Sequence, residues 1–95
     1  MDDRLKSPAT DYLFKAILSL KDEDECSRFF EDICTIAELR SIAQRLDVAR
    51  KLDEGESYTE IAHSTGASTA TISRVKRYLN YGADGYRVVL DRMKA

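Results

Sequence analysis

Residues 58–80 read YTEIAHSTGASTATISRVKRYLN, a pattern typical of two short helices that cross over a tight turn. Ala62 is small enough to lie where the second helix crosses the first, and Gly66 tolerates the positive φ that such a turn requires. The apolar residues that can form the core between the two helices are Ile61, Ala67, Ile72 and Val75. This spacing predicts a helix-turn-helix unit over residues 58–81. The alternative is an αα-hairpin that packs in the same way and contacts no ligand.

The second helix of this unit begins with small, mostly hydroxyl-bearing side chains. The residues expected to face solvent there are Ser68, Thr69, Ala70, Thr71 and Ser73. Hydroxyl groups exchange hydrogen bonds with base edges or phosphates, and alanine or threonine methyl groups can contact thymine methyl groups. The cations that follow, which can bind the phosphate backbone, are Arg74, Lys76 and Arg77. Capping and solubility are the alternative roles of the hydroxyl residues, and for Ser68 we favour capping.

Toward the N-terminus, apolar spacing predicts two amphipathic helices within residues 11–34. The first covers residues 11–20, and either Thr10 or the pair Ser7-Pro8 can start it. The acidic run at residues 22–25 lies where the helix dipole favours negative charge, in the first turn of the second helix.

A long helix is predicted over residues 36–54. Thr35 and Glu38 have the spacing of a capping box at its start, and Gly55 is in position to end it. The apolar stripe expected along this helix consists of Leu39, Ile42, Ala43, Leu46, Ala49 and Leu52.

A last helix is expected over residues 84–94, after Gly82 ends the preceding one. The chain has few turn-forming residues, with 4 Gly and 1 Pro, and no useful length of two-residue alternation. We therefore predict an all-α fold of about six helices, in a single domain over residues 1–95.

The composition is that of a small globular domain, with 95 residues, 43% hydrophobic and 34% charged. A monomer of this size has a thin core, which favours association. No apolar run approaches the roughly 18 residues of a membrane span, and no apolar stretch of the signal-peptide type follows the charged N-terminus. We expect a cytoplasmic protein without a membrane partner.

Few residues are available for catalysis or metal binding. The chain has a single histidine, His63, and two cysteines, Cys26 and Cys34, that match no metal motif. We expect free thiols of the core or a dimer interface, a solvent-facing histidine, and no metal or cofactor. Because no nucleophile and base can be assembled from these residues, we predict that the chain is not an enzyme.

Charge is distributed unevenly along the chain, although the net charge is −2. Residues 1–38 carry ten acidic and five basic side chains, whereas residues 39–95 carry seven acidic and ten basic ones. No acidic residue lies between Ala62 and Ala83. The pattern indicates a face for a polyanion, although solvated helices often show uneven charge as well.

Thr35 through Leu79 resembles the Trp repressor, and residues 66–74 are the most similar segment. Residues 79–86 (LNYGADGY) further resemble the YerC/YecD group of Trp-repressor-related proteins. The resemblance implies an intertwined all-helical dimer whose two helix-turn-helix units face successive major grooves of double-stranded DNA. The residues expected at the dimer interface are Leu13, Ile17, Phe29, Phe30 and Ile33, for which an ordinary intrachain core is the alternative. Two further DNA contacts implied by the resemblance are Gln44 and Thr59.

The resemblance also implies a ligand pocket, which this chain retains only in part. The family's two indole-stacking arginines correspond to Arg45 and Arg74, and two threonines of the pocket correspond to Thr35 and Thr71. The remaining two positions are enlarged: Val75 replaces a glycine, and Tyr78 replaces a serine. We therefore predict that the chain binds no tryptophan and has no small-molecule co-repressor. Tyr78 either occupies part of the indole's space near the two arginines or packs against the last helix.

Two classes of function follow from these observations. The first is a homodimeric, sequence-specific DNA-binding regulator, a repressor by resemblance, acting at the nucleoid. The second is an interaction module that keeps the helix-turn-helix fold but does not bind DNA. The absence of acids from the second helix of the unit favours the first class, and the negative net charge favours the second.

Overall fold

The structure is a computed structural model that describes residues 1–94. The part of the chain that it describes contains six α-helices and one short 3-10 turn, and no strand. The helices are α1 (Pro8–Leu18), α2 (Glu23–Ile33), α3 (Ile36–Asp53), α4 (Tyr58–Thr65), α5 (Thr69–Tyr81) and α6 (Gly85–Lys94), and the 3-10 turn is Asp3–Leu5. The predicted all-α class with about six helices is confirmed. The chain divides into two compact units, Met1–Leu39 and a second that begins at Arg40.

Side chains cap the N-terminal ends of most helices. The residues whose side-chain oxygen accepts the backbone N–H three positions later are Ser7, Asp22, Thr35, Ser57 and Ser68. At α3 the box is reciprocal, because Glu38 also accepts the Thr35 N–H at 2.9 Å. That hydrogen bond lowers the pKa of the Glu38 carboxyl below its ordinary value. Of the two starts considered for α1, the chain uses Ser7 with Pro8 directly after it.

The first unit buries none of its apolar side chains completely. Leu13, Ile17, Phe29 and Phe30 are half-buried and Ile33 is exposed. The rings of Phe29 and Phe30 meet edge to face, with their centroids 5.5 Å apart. Large apolar side chains of this unit that remain exposed include Tyr12, Phe14, Leu18 and Ile36.

The second unit contains the core of the molecule. Its buried residues are Val48, Ala49, Ile61, Ala67, Ile72, Val75 and Leu90. The burial predicted for the apolar residues of α4, α5 and the turn is therefore confirmed. Of the predicted stripe of α3, Ala49 is fully buried within the chain and Ile42 and Leu46 remain 43% and 42% exposed, whereas Val48, which was not part of the predicted stripe, is fully buried. The covered face of α3 is set by what packs against it, which the periodicity of one helix does not specify.

Two of the glycines expected to end helices do so for different physical reasons. Gly66 has φ +73°, the left-handed conformation that glycine adopts at little cost. Gly82 has φ −86° and lies so close to the preceding helix that a Cβ atom there would overlap the Tyr78 carbonyl oxygen. In the loop between α5 and α6, the residue with a positive φ is Asp84, at +64°, directly before α6.

An ion cluster connects the end of α3 to α6. Asp53 accepts two hydrogen bonds of 2.8 Å from Arg87 and one of 2.5 Å from Lys94. The Asp53 side chain is only 13% exposed. Arg87 also pairs with Asp91 at 3.1 Å. The hydrogen bonds from Arg87 and then from Lys94 hold the pKa of Asp53 far below its ordinary value, and the bond to Asp53 raises the pKa of Arg87.

Candidate nucleic-acid interface

The turn between α4 and α5 is fixed by side-chain hydrogen bonds as well as by Gly66. The Thr65 hydroxyl donates to the Ile61 carbonyl at 2.6 Å and accepts the Ala67 N–H at 3.1 Å. The Ser68 hydroxyl then accepts the Thr71 N–H at 3.1 Å. These bonds satisfy backbone groups at the end of one helix and the start of the next, so the two helices have a defined junction.

The two faces of α5 differ sharply in exposure. Ile72 and Val75 are buried in the core. The side chains that α5 and its cap expose include Ser68, Thr69, Ala70, Ser73, Arg74, Lys76 and Arg77. Thr71 is half-buried, and its hydroxyl lies 3.1 Å from that of Ser68. The start of α5 is therefore a polar surface of small side chains that neither its own protomer's core nor a neighbouring helix covers.

The cations of α5 keep their charge unneutralised. Within residues 1–94, no carboxylate oxygen lies within the 4.0 Å ion-pair distance of Arg74, Lys76 or Arg77. Two of the three instead lie over aromatic rings: the Arg74 guanidinium is 6.0 Å from the centroid of Tyr78, and the Lys76 ammonium is 5.6 Å from that of Tyr58. Because the neighbours of these two cations are neutral rings and not carboxylates, their positive charge remains at the surface of α5.

The two remaining DNA contacts implied by the resemblance differ in their surroundings. Thr59 is exposed in the first turn of α4. The Gln44 side chain is half-buried, and its amide donates to the Thr65 carbonyl at 3.2 Å. That bond connects α3 to the end of α4, so Gln44 has a structural partner. His63 is exposed on α4, as expected.

An apolar groove of about 520 Å³ lies in the second unit. Its lining residues are Ile42, Arg45, Leu46, Tyr78, Ala83, Gly85, Tyr86 and Val89. Of the six residues expected around a ligand, Arg45 and Tyr78 line it. Val75 is buried in the core, and Thr35 caps α3 in the first unit.

Tyr78 combines features of both roles considered for it. Its ring is 51% exposed and lies beside the Arg74 guanidinium. It also shares the groove with Tyr86 and Val89 of α6. The sequence pattern had placed Tyr86 and Val89 on the apolar side of the last helix, but it missed Tyr58 as the neighbour of Lys76.

Comparison with known proteins gives a consistent result. The family model for the Trp repressor protein matches residues 9–94. The chain belongs to the Trp repressor family. It is 62% identical over 92 residues to a protein named YerC from Bacillus subtilis (strain 168), covering 97% of this chain and 88% of that protein.

Two solved structures of this family's fold are also similar to the chain. One is a TrpR-like protein from Eubacterium eligens ATCC 27750, 57% identical, with a TM-score of 0.95 over 98% of this chain and 96% of that one. The other is a candidate Trp repressor from Staphylococcus aureus, 49% identical, with a TM-score of 0.94 over 99% and 95% of the two chains. The predicted Trp-repressor-like fold of the chain is thereby confirmed.

Across residues 1–94, no three side chains of the His, Cys, Asp or Glu type are grouped so that they could hold a metal ion. None of the helices described combines the length and the hydropathy needed to cross a bilayer. Cys26 is exposed and Cys34 half-buried, and neither forms a disulfide.

Proposed function

We propose that this protein is a homodimeric, sequence-specific DNA-binding transcriptional regulator, a repressor by its family, that does not respond to tryptophan. α4, the turn and α5 form its helix-turn-helix, and α5 enters the major groove with its N-terminal end foremost. The observation that carries the proposal is the exposed face of α5, where small polar side chains precede three cations without a carboxylate partner.

Contacts divide into two kinds on this surface. Thr69, Ala70 and Ser73 are exposed on the first turns of α5, where their hydroxyl and methyl groups can read base edges. The residues that bind the backbone phosphates are Arg74, Lys76, Arg77, Thr59 and Gln44. The Gln44 amide also donates a hydrogen bond to the Thr65 carbonyl within the chain. Ser68 and Thr71 order the start of the helix through their mutual hydrogen bonds.

Dimer formation is supported by the apolar surface that a single chain leaves uncovered. Leu18 is 84% exposed, and Ile33, predicted at the interface, is 53% exposed. Monomeric soluble proteins rarely expose so many large apolar side chains. Leu13, Ile17, Phe29 and Phe30 are only half-buried within the chain and can bury the rest of their surface against a second copy. Sedimentation at micromolar concentration is expected to give the mass of a dimer.

Independence from tryptophan is supported by Tyr78 and Val75. The Tyr78 ring already contacts the Arg74 guanidinium, the group that would otherwise be free to stack on an indole. Val75 fills core space where a glycine would leave the backbone open to a ligand. Calorimetry with L-tryptophan is expected to detect no binding, and micromolar affinity would contradict this part of the proposal.

DNA binding is tested by selection of bound duplexes from a random pool, followed by fluorescence anisotropy on the selected duplex across a salt series. A specific regulator is expected to enrich one sequence and to show a slope of several units in log K against log salt. No enrichment and no binding at low salt would instead support the alternative, an interaction module that has kept the fold.

A further inference from the structure

We propose that Tyr58 is a positioning residue for DNA binding, whose neutral ring holds the Lys76 ammonium at the junction of α4 and α5. The proposal rests on the DNA-binding function proposed above, and it adds a residue that makes no contact with DNA itself. Its basis is the 5.6 Å distance between the ammonium and the ring centroid, within the range of a cation–π contact.

Tyr58 is itself held firmly in place. It is the first residue of α4, directly after the N-cap Ser57, whose hydroxyl accepts the Glu60 N–H at 3.2 Å. Its side chain is half-buried and packs against the core of the second unit. The ring is therefore a fixed platform beneath an exposed, otherwise mobile side chain.

A neutral ring has an advantage over a carboxylate as the partner of a phosphate-binding cation. An acid beside Lys76 would restrict the ammonium as well, but it would cancel its charge and compete with phosphate. A lysine side chain loses considerable rotamer entropy when it is fixed in a complex. Contact with Tyr58 removes part of that entropy before DNA arrives and leaves the full charge available.

The pair also joins the two helices of the unit. Tyr58 belongs to α4 and Lys76 to α5, so the contact orients a cation of one helix from the other. By contrast, Arg74 and Tyr78 both belong to α5, with the Arg74 guanidinium 6.0 Å from the Tyr78 ring centroid. Their proximity therefore does not depend on how α4 packs against α5. Tyr58 therefore makes the position of Lys76 depend on the correct packing of α4 against α5.

The first experiment observes the pair in the free protein by NMR. The ε-methylene protons of Lys76 are expected to be shifted upfield by the ring current of Tyr58. The shift is expected to persist in Tyr58→Phe, which keeps the ring, and to disappear in Tyr58→Leu, which keeps an apolar side chain against the core. An identical Lys76 spectrum in wild type and Tyr58→Leu would overturn the proposal without reference to DNA.

The second experiment is a double-mutant cycle on duplex affinity, with the selected duplex as the probe. Tyr58→Leu is expected to weaken binding about two- to fivefold in the wild-type background, whereas Tyr58→Phe, which keeps the ring, is expected to bind as the wild type does. In the Lys76→Met background, Tyr58→Leu is expected to have no further effect. A merely structural role of Tyr58 would weaken binding equally in both backgrounds, and that result would overturn the proposal.

The salt dependence supplies a readout that loss of stability does not move. Lys76→Met is expected to reduce the slope of log K against log salt by about one unit, whereas Tyr58→Leu leaves it nearly unchanged because the charge remains. Tyr81→Leu is the matched control, since Tyr81 is a tyrosine of α5 that is 86% exposed. Its affinity and slope are expected to equal those of wild type.

The two proposals fail in different ways. A protein that shows the Lys76 shift but binds no duplex of the random pool contradicts the proposed function, and with it any role of the pair in DNA binding. A protein that binds duplex with no coupling between Tyr58 and Lys76 contradicts the positioning role alone.

Discussion

Lys76 and Arg87 are both cations of the second unit, but their surroundings are opposite. Arg87 donates two hydrogen bonds of 2.8 Å to Asp53 and pairs with Asp91, so its charge is neutralised inside the fold. Lys76 lies on α5 over the neutral ring of Tyr58. The difference indicates a division of labour, in which the cluster of α3 and α6 stabilises the fold and the cations of α5 remain available to a polyanion.

The largest effect is expected when the charge of the unpaired cations of α5 is reversed. The double variant Arg74→Glu/Lys76→Glu is expected to weaken duplex binding about a hundredfold or more, because two phosphate contacts become repulsive. The melting temperature is expected to change little, since both side chains are exposed and outside the core. Anisotropy at fixed salt and thermal melting measure the two effects.

The control for charge reversal is Lys15→Glu/Lys21→Glu, which changes the net charge equally in the first unit, at two exposed positions. Its binding is expected to stay close to wild type. An equal loss in both double variants would mean that net charge, and not the surface of α5, governs binding.

The next largest effect is expected from the neutralised cluster. Asp53→Asn removes the carboxylate that Arg87 and Lys94 share, and it leaves Arg87 with the more exposed Asp91. We expect a melting temperature lower by several degrees, with duplex affinity nearly unchanged. Asp91→Asn is the matched variant and is expected to lose much less, because the Asp91 side chain is 60% exposed. A large loss of duplex affinity in Asp53→Asn, without unfolding, would contradict the inference that this cluster stabilises the fold and takes no part in binding.

The contribution of Asp53 is also expected to depend on pH. Its pKa is held below the ordinary 3.8 in the folded state, so its stabilisation is fully present above that value and is lost as pH falls through the folded pKa. The difference in melting temperature between wild type and Asp53→Asn should therefore be largest near neutral pH and shrink below about pH 4. Glu38 has a lowered pKa too, but it is present in both proteins and cancels in the difference. A difference that grows on acidification would contradict the assignment.

Local sequence rules predicted the parts of this molecule whose cause is local. Gly66, Ala67 and Ile72 were assigned from spacing alone, because a tight turn between two helices restricts residue size and φ at fixed positions. Capping at Thr35 and Ser68 follows likewise from side chains that reach only three residues.

The features that the sequence did not reveal depend on residues far apart in the chain. Val48 is buried because of what covers α3, whereas the apolar periodicity of α3 pointed to Leu46 and not to Val48. The contact of Tyr58 with Lys76 requires the relative placement of two helices. Gly82 was expected to end its helix, but the physical requirement observed there, space beside a carbonyl group, could not be predicted from the sequence. The exposure of Thr69, Ala70 and Ser73 was accessible from helix periodicity, whereas Thr71, also expected to face solvent, is half-buried. The lack of carboxylate partners for the cations of α5 was not accessible from periodicity.

The smallest effect is expected for an exposed ion pair, which tests whether burial, and not the mere presence of a pair, determines its contribution to stability. Arg28 and Asp24 pair at 2.9 Å on α2, but their side chains are 68% and 74% exposed, whereas the Asp53 carboxylate is largely covered. An exposed pair at this helical spacing contributes only about 0.3–0.5 kcal/mol, so Arg28→Gln should barely shift the melting temperature, and still less at high salt. If Arg28→Gln destabilised the protein as much as Asp53→Asn, burial and shared hydrogen bonds would not explain the strength of the cluster. In that case, the paired and unpaired cations would differ in their contribution to duplex binding and not in their contribution to stability.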